Sequence, residues 1–336
     1  MATIYGDTST SLSCHQVGGD QFIQGDDGVN SYTAVYNYLY GDAYLMRGFA
    51  RGGNDTILGG SAGILNEQIY GDAYVMRDFT QGGNDLIVGG SGDSHSNPLA
   101  FGDAYEMHGF AHGGDDRILG GSGTVYGDAF TMDGFTVGGD DMITPGSLRK
   151  SVFGDAATLS GFARGGNDHI QVADSWAEVY VYGDGALSGF AQGGNDRIVG
   201  GANSPYEILV GDGALSGFAR GGDDVIVAGN GSYNLIWGDG SRSGSFTTGG
   251  NDTFVFTPGA RQNQIMDFEQ GRDHIDLTAF AVQGVHGIGD LAIRSGDVVL
   301  GNGQTVHGSS IDLGGQYEYI AVLDVTHLQA SDFVFA

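Results

Sequence analysis

The chain has 336 residues, with 41 acidic against 13 basic side chains, a formal net charge of −28 and 64 glycines. That balance argues against the broad basic face that nucleic-acid binding needs, so no nucleic-acid partner is expected. The single cysteine, Cys14, excludes an intramolecular disulfide, and no apolar run approaches the roughly 20 residues of a transmembrane helix.

Residues 1–39 read as a degenerate N-terminal cap and first coil. The opening MATIYGDTSTS has neither the basic nor the apolar segment of a Sec leader, so export is expected to use another signal. A Gly-Asp pair ends at Asp7, and a shortened turn, Gly18-Gly19-Asp20, follows with His15 where later units carry Phe. Terminal repeats are commonly atypical because they close the core.

Residues 40–257 repeat two turn signals. The first is Gly-Asp, ending at Asp42, Asp72, Asp103, Asp128, Asp155, Asp184, Asp212 and Asp239. The second is Gly-Gly-(Asn/Asp)-Asp, ending at Asp55, Asp85, Asp116, Asp141, Asp168, Asp196, Asp224 and Asp252. Apolar positions repeat in step with the turns. Two residues past the second Asp stand Phe22 in the first unit, then Ile57, Ile87, Ile118, Ile143, Ile170, Ile198, Ile226 and Phe254. Before each complete second turn lies Phe49, Phe79, Phe110, Phe135, Phe162, Phe190, Phe218 or Phe246. Both columns are expected in a core that no single unit could bury alone. Met46, Met76, Met107 and Met132, continued by Leu159, read as core filler. Tyr40, Tyr70, Phe101, Tyr126, Phe153, Tyr182 and Trp237 precede the Gly-Asp pairs. Strand alternation turns them outward if their aliphatic neighbours face in, either as a glycan-binding stripe or as a column stacked on itself.

A period of roughly 25–30 residues marks a solenoid, because a propeller blade takes about 40–50. The expected fold is all-β, a parallel β-roll or β-solenoid of about nine coils. From residue 258 to 336 glycine thins, and DLAIRSGDVVLGNGQTV and QYEYIAVLDV read as strands joined by turns, a small β-rich C-terminal domain.

Stacking places the aspartates in columns. Two carboxylates about 4.8 Å apart repel by about 1 kcal/mol in water and 3–4 kcal/mol at a dielectric of about 20. Arginine and lysine are too few and wrongly placed to balance nine such levels, so bound cations are expected. Carboxylate and turn-carbonyl oxygens are hard ligands in irregular arrays, which favours several Ca2+ ions over zinc, copper or Mg2+. The candidate metal ligands are Asp20 and the sixteen aspartates of the two columns, with self-capping of the turn as the alternative for the Gly-Asp column.

Gly-Gly-Asn-Asp-Thr-Ile-Leu-Gly-Gly at 52–60 resembles the RTX (repeats-in-toxin) calcium-binding nonapeptide G-G-x-G-x-D-x-U-x. Gly53, Asp55 and Ile57 match its fourth, sixth and eighth positions, and the resemblance implies that the Asp binds calcium while the apolar residue points inward. The units here are longer than the paired nonapeptides of that family. Asp252–Phe256, Ile265–Phe268 and Gly271–Leu277 resemble the serralysin C-terminal domain, and Asp332-Phe-Val-Phe-Ala336 resembles that family's terminus. This implies a type I secretion signal, with the secretion machinery as a partner, and a secreted, extracellular protein. No HExxH zinc motif is present, and the nine histidines share no spacing, so no catalytic residues are expected. The expected role is structural, or at a surface or matrix. A carbohydrate-binding or enzymatic (epimerase- or lyase-like) solenoid acting on extracellular polysaccharide is the alternative.

Overall fold

The computed structural model describes residues 2–28, 34–93, 96–121, 123–146, 150–175, 177–231, 233–299, 305–315 and 318–336. One coil shows how the rest are built. Strand Ile64–Tyr70 runs into the Gly71-Asp72 corner, Ala73–Met76 follows, and the chain turns at Asp78-Phe79. It then passes the Gly82–Asp85 corner into strand Leu86–Gly89 and returns. Each such coil gives one strand to each of three sheets, of thirteen, nine and eleven strands, in which every third strand is a neighbour throughout the array. The solenoid pairs are parallel and in register: Leu39 beside Ile69, Ile57 beside Ile87, Met46 beside Met76. The nine-stranded sheet takes eight turns to pass from its first strand to its last, so the roll has about eight full turns where the sequence reads as nine units.

In-register stacking makes two separate cores. The larger joins the aliphatic positions of the first and third sheets, including Leu39, Ile69, Ile57 and Ile87, all 0–1% exposed. The smaller, behind the second sheet, interleaves the methionine column with alanines such as Ala43, Ala50 and Ala73. A fully buried Ile contributes roughly 1.5–3 kcal/mol, and here it gains that only with a coil above and below it.

Two expectations about apolar columns change, and a third column takes one of its two readings, stacked on itself. The Phe49–Phe246 column lies outside the core, 44–66% exposed, with successive rings stacked 4.8–5.1 Å apart. Its cause is the residue before the ring: Gly48, Asp78, Gly109, Gly134, Gly161, Gly189 and Gly217 all hold a left-handed φ of 71–85°. That turn throws the ring out and sends the next residue, Ala50 or Ala111 for example, inward. Phe22 is 66% exposed, because the first turn lacks one residue and Ile23, not Phe22, pairs with Ile57. The Tyr40 column is turned away from the main core, yet Tyr40, Tyr70, Phe101 and Tyr126 are only 0–7% exposed. Their faces stack on one another, and Tyr74 and Tyr105 lie edge-on against Tyr70 and Phe101.

Past the array, Gln262–Ile265, His274–Asp276 and Phe333–Val334 continue the parallel stacking. Tyr319–Leu323 then pairs parallel to Gln262–Ile265 and antiparallel to Thr305–Asp312, whose other edge carries Ala292–Val299. Phe256, Phe280, Ile311 and Ile320 extend the larger core beneath these strands.

Candidate metal centre

The two turn signals fold into facing corners of the same coil. Each Gly-Asp carboxylate reaches across to the other corner: the Gly53 N–H donates to Asp42 at 3.0 Å, Gly114 to Asp103 at 2.9 Å, Gly166 to Asp155 at 2.7 Å. Each carboxylate of the second column instead fastens neighbouring coils. The Asp85 N–H donates to Asp116 Oδ1, Asp141 to Asp168 Oδ1, Asp168 to Asp196 Oδ1 and Asp196 to Asp224 Oδ1, all at 2.7–2.8 Å. The sixteen aspartates of the regular array are 0–3% exposed.

One oxygen of most of these carboxylates has no hydrogen-bond partner. Every member of the second column, from Asp55 to Asp252, has an unpartnered buried Oδ2. Asp42, Asp103, Asp128, Asp155, Asp184 and Asp212 each have one as well. The free Oδ2 of Asp85 lies in a cradle beside Gly71, where a Cβ would strike both that oxygen and the Gly102 carbonyl oxygen of the next coil. The same pairing of orphan carboxylate and carbonyl oxygen recurs beside Gly41, Gly102, Gly127, Gly154, Gly183 and Gly211. A first-corner residue other than glycine would close this space.

The electrostatics are severe. Burial pushes the Asp42 carboxyl up to about 8, Asp196 to about 7 and Asp252 to about 9, and raises Asp72, Asp116 and Asp168 well above the carboxylate range. Neighbouring carboxylates add to the effect of burial: Asp85 and Asp42 on Asp72, Asp155 and Asp196 on Asp168. Carboxyls of the first column also lie close enough to act on one another, Asp72 on Asp103 and Asp155 on Asp184. Two ionised carboxylates offer only acceptors, so such a contact is relieved by a shared proton or by a cation. Among the described residues, the salt bridge to a column aspartate is Arg242 on Asp239, at 2.7 Å.

The donor set therefore fits a hard cation: buried carboxylate oxygens without partners, turn carbonyls beside them and, among the described residues, no salt bridge to a column carboxylate before Asp239. Among the described residues no three His, Cys, Asp or Glu side chains converge on one point. An ion here would be held by carboxylates of adjacent coils together with backbone carbonyls.

Asp20 stands apart from the column. It is exposed and accepts from the Asn54 N–H at 2.9 Å, the level of the third turn residue. Gln21 takes the position opposite Asp55, its N–H donating to Asp55 Oδ1 at 2.7 Å. At the other end, two carboxylates outside the two turn signals prolong the columns. Asp273 accepts from the Asp252 N–H at 3.0 Å, and Asp267 accepts from Gly238 and Gly240 at 2.8 and 2.9 Å. A signal for Asp273 is present in the sequence: it precedes Ile275 by the same two residues that separate Asp252 from Phe254. A third corner carries no repeated acidic signal and emerges only in the fold. There Glu67, 1% exposed, accepts from Gly60, Gly90 and Asn37, clamping two coils on the return side with both oxygens used.

The sequence pattern of the family described as "Peptidase M10 serralysin C terminal" matches residues 50–335. No curated protein and no solved structure matches the chain. The matched family is the repeat-bearing part of those proteins and not their catalytic domain.

Proposed function

We propose that this chain, which belongs to the peptidase M10 serralysin C-terminal family, is a secreted calcium-binding RTX β-roll that folds on binding several Ca2+ ions and serves a structural or surface-associated role. The observation that carries this reading is the run of buried, unpartnered Oδ2 atoms from Asp55 to Asp252, those from Asp55 to Asp224 beside turn carbonyls, with no salt bridge to them among the described residues. The regular array at 40–257 would hold the ions, the stretch at 1–39 would close one end, and 258–336 would act as the C-terminal domain carrying the type I export signal. Calcium bound between coils would supply charge neutralisation and a cross-link. The protein's own part is to hold pairs of carboxylates at fixed spacing and to keep the turn carbonyls open beside glycine. A site assembled only by stacked coils couples its binding energy to folding. Without a cation, self-repulsion at a net charge of −28 favours the expanded chain. Low calcium before export and high calcium outside would then time folding to the outside.

A calcium titration followed by far-UV circular dichroism, with metal analysis of the gel-filtered protein, tests the reading. The expected result is a cooperative gain of β signal and several calcium ions per chain. A full β spectrum and unchanged melting temperature without metal at neutral pH, or one or no calcium per chain, would overturn it.

A further inference from the structure

The exposed phenylalanine column is long, straight and apolar. Eight rings, each about half exposed, leave roughly 100 Å2 apiece and about 800 Å2 in all. The largest apolar patch on a typical monomer is about 300–600 Å2 and is often functional. Ring planes along the column are within 2–21° of parallel, so the faces are spent on neighbouring rings and only edges point outward. A pyranose, which stacks on an aromatic face, finds none along the run between its end rings.

The borders of the column have the opposite charge to the rest of the molecule. Two residues before the rings stand Arg47, Arg77 and His108; two residues after them, in one parallel line of bridged positions, stand Arg51, His112, Arg164 and Arg220. The only acid in those two lines is Asp133, which lies 3.0 Å from His108. A protein with 13 basic residues against 41 acidic ones has thus set five arginines along one apolar ridge. A second copy of the chain is a poor occupant, since pairing ridge to ridge would oppose arginine to arginine.

We propose that this ridge docks on a lipid surface bearing anionic phosphate headgroups, with the ring edges in the acyl boundary and the flanking arginines on the phosphates. Apolar insertion beside arginine is how interfacial elements hold such surfaces.

The test is co-sedimentation of the full chain, in calcium-containing buffer, with vesicles of phosphatidylglycerol and phosphatidylcholine in equal parts, and with phosphatidylcholine alone. Two variants accompany it: Arg51→Glu/Arg164→Glu/Arg220→Glu, which changes only exposed side chains, and Phe135→Ser/Phe162→Ser. Circular dichroism confirms that each is folded. Binding to the anionic vesicles, lowered at least about tenfold by the arginine reversal and lowered by the phenylalanine change, supports the proposal. No binding by the parent chain overturns it. So does equal binding by the folded arginine variant, which would assign attachment to calcium bridging at the acidic surface. Concentration-dependent dimers in ultracentrifugation, abolished by the phenylalanine change and without vesicle binding, would overturn it in favour of self-association.

Discussion

Replacing Asp196 by Asn should change the sign of its effect with calcium. Asp196 Oδ1 accepts the Asp168 N–H at 2.7 Å, and its own N–H donates to Asp224 Oδ1 at 2.7 Å. Its Oδ2 has no partner and shares the Gly183 cradle with the Gly211 carbonyl oxygen. Asparagine keeps the acceptor and puts an N–H2 where the orphan oxygen was, beside a carbonyl that can accept it. Burial raises the Asp196 carboxyl from 3.8 to about 7. A raised folded-state value stabilises the fold fully below 3.8 and loses that contribution as pH rises through about 7. At pH 8 the carboxylate is ionised in both states, and holding it buried then costs the metal-free fold about 4 kcal/mol, an upper figure that local relaxation reduces. Asp196→Asn should therefore stabilise the metal-free chain at pH 8 by about 1–4 kcal/mol. In calcium it should do the reverse, since two adjacent levels lose a carboxylate ligand and the calcium midpoint of folding should rise. The assay is circular dichroism at pH 8: residual β signal in chelator reads metal-free stability, a calcium titration gives the midpoint, and urea unfolding in millimolar calcium gives the stability of the loaded fold. A variant less stable than the parent in chelator, or an unchanged calcium midpoint, would show that Asp196 is not held as a cation ligand.

Other expectations follow from the same geometry. Lowering pH should partly replace calcium: with Asp42 raised to about 8, Asp55 to about 7 and Asp273 to about 6, the metal-free chain should gain β structure as pH falls from 9 to 5, and greater metal-free stability at pH 9 than at pH 5 would contradict it. Asp168→Ala leaves the buried Asp141 N–H without its acceptor and should cost about 2–4 kcal/mol in calcium, whereas Asp20→Ala, at an exposed position, should cost no more than about 1 kcal/mol by the same unfolding assay. Gly71→Ala places a Cβ against the Gly102 carbonyl and Asp85 Oδ2 and should abolish folding at any calcium concentration, while Gly289→Ala, with open space around it, should melt within a few degrees of the parent.

Columns were legible in the sequence because each coil repeats one chemical demand at one level. Asp55, Asp85 and Asp116 could be aligned by eye, and the inward Ile57 followed from the same spacing. The direction of the phenylalanine column was not legible from periodicity. A hydrophobic ring at a repeated position reads as core unless the preceding residue is known to be left-handed, and Asp78 conceals that turn where the other coils mostly show glycine. The missing turn residue before Asp20 was visible, but its consequence needed the register: one deletion moves Gln21 into the carboxylate level and Ile23 into the core. Cover over Tyr70 and Phe101 comes from Tyr74 and Tyr105, whose edge-on contacts depend on the angle of the Gly-Asp corner and not on alternation alone. Asp267 was hidden because it stands in Met266-Asp267-Phe268, without the glycine that announces the other corners.

The three corners do not keep the same count. From the Gly-Asp aspartate to the amide it captures is 10 or 11 residues in every coil of the regular array. From one second-column aspartate to the next, the step ranges from 25 to 31 residues in the array. All but one residue of that latitude falls on the return side, away from the two carboxylate columns. The roll thus has a ruled margin and a ragged one. Foreign loops grafted at the ragged margin would be held in rows at strand spacing, about 4.8 Å from coil to coil, without disturbing the count that the carboxylates enforce. A lineage, or an engineer, can write on that margin freely.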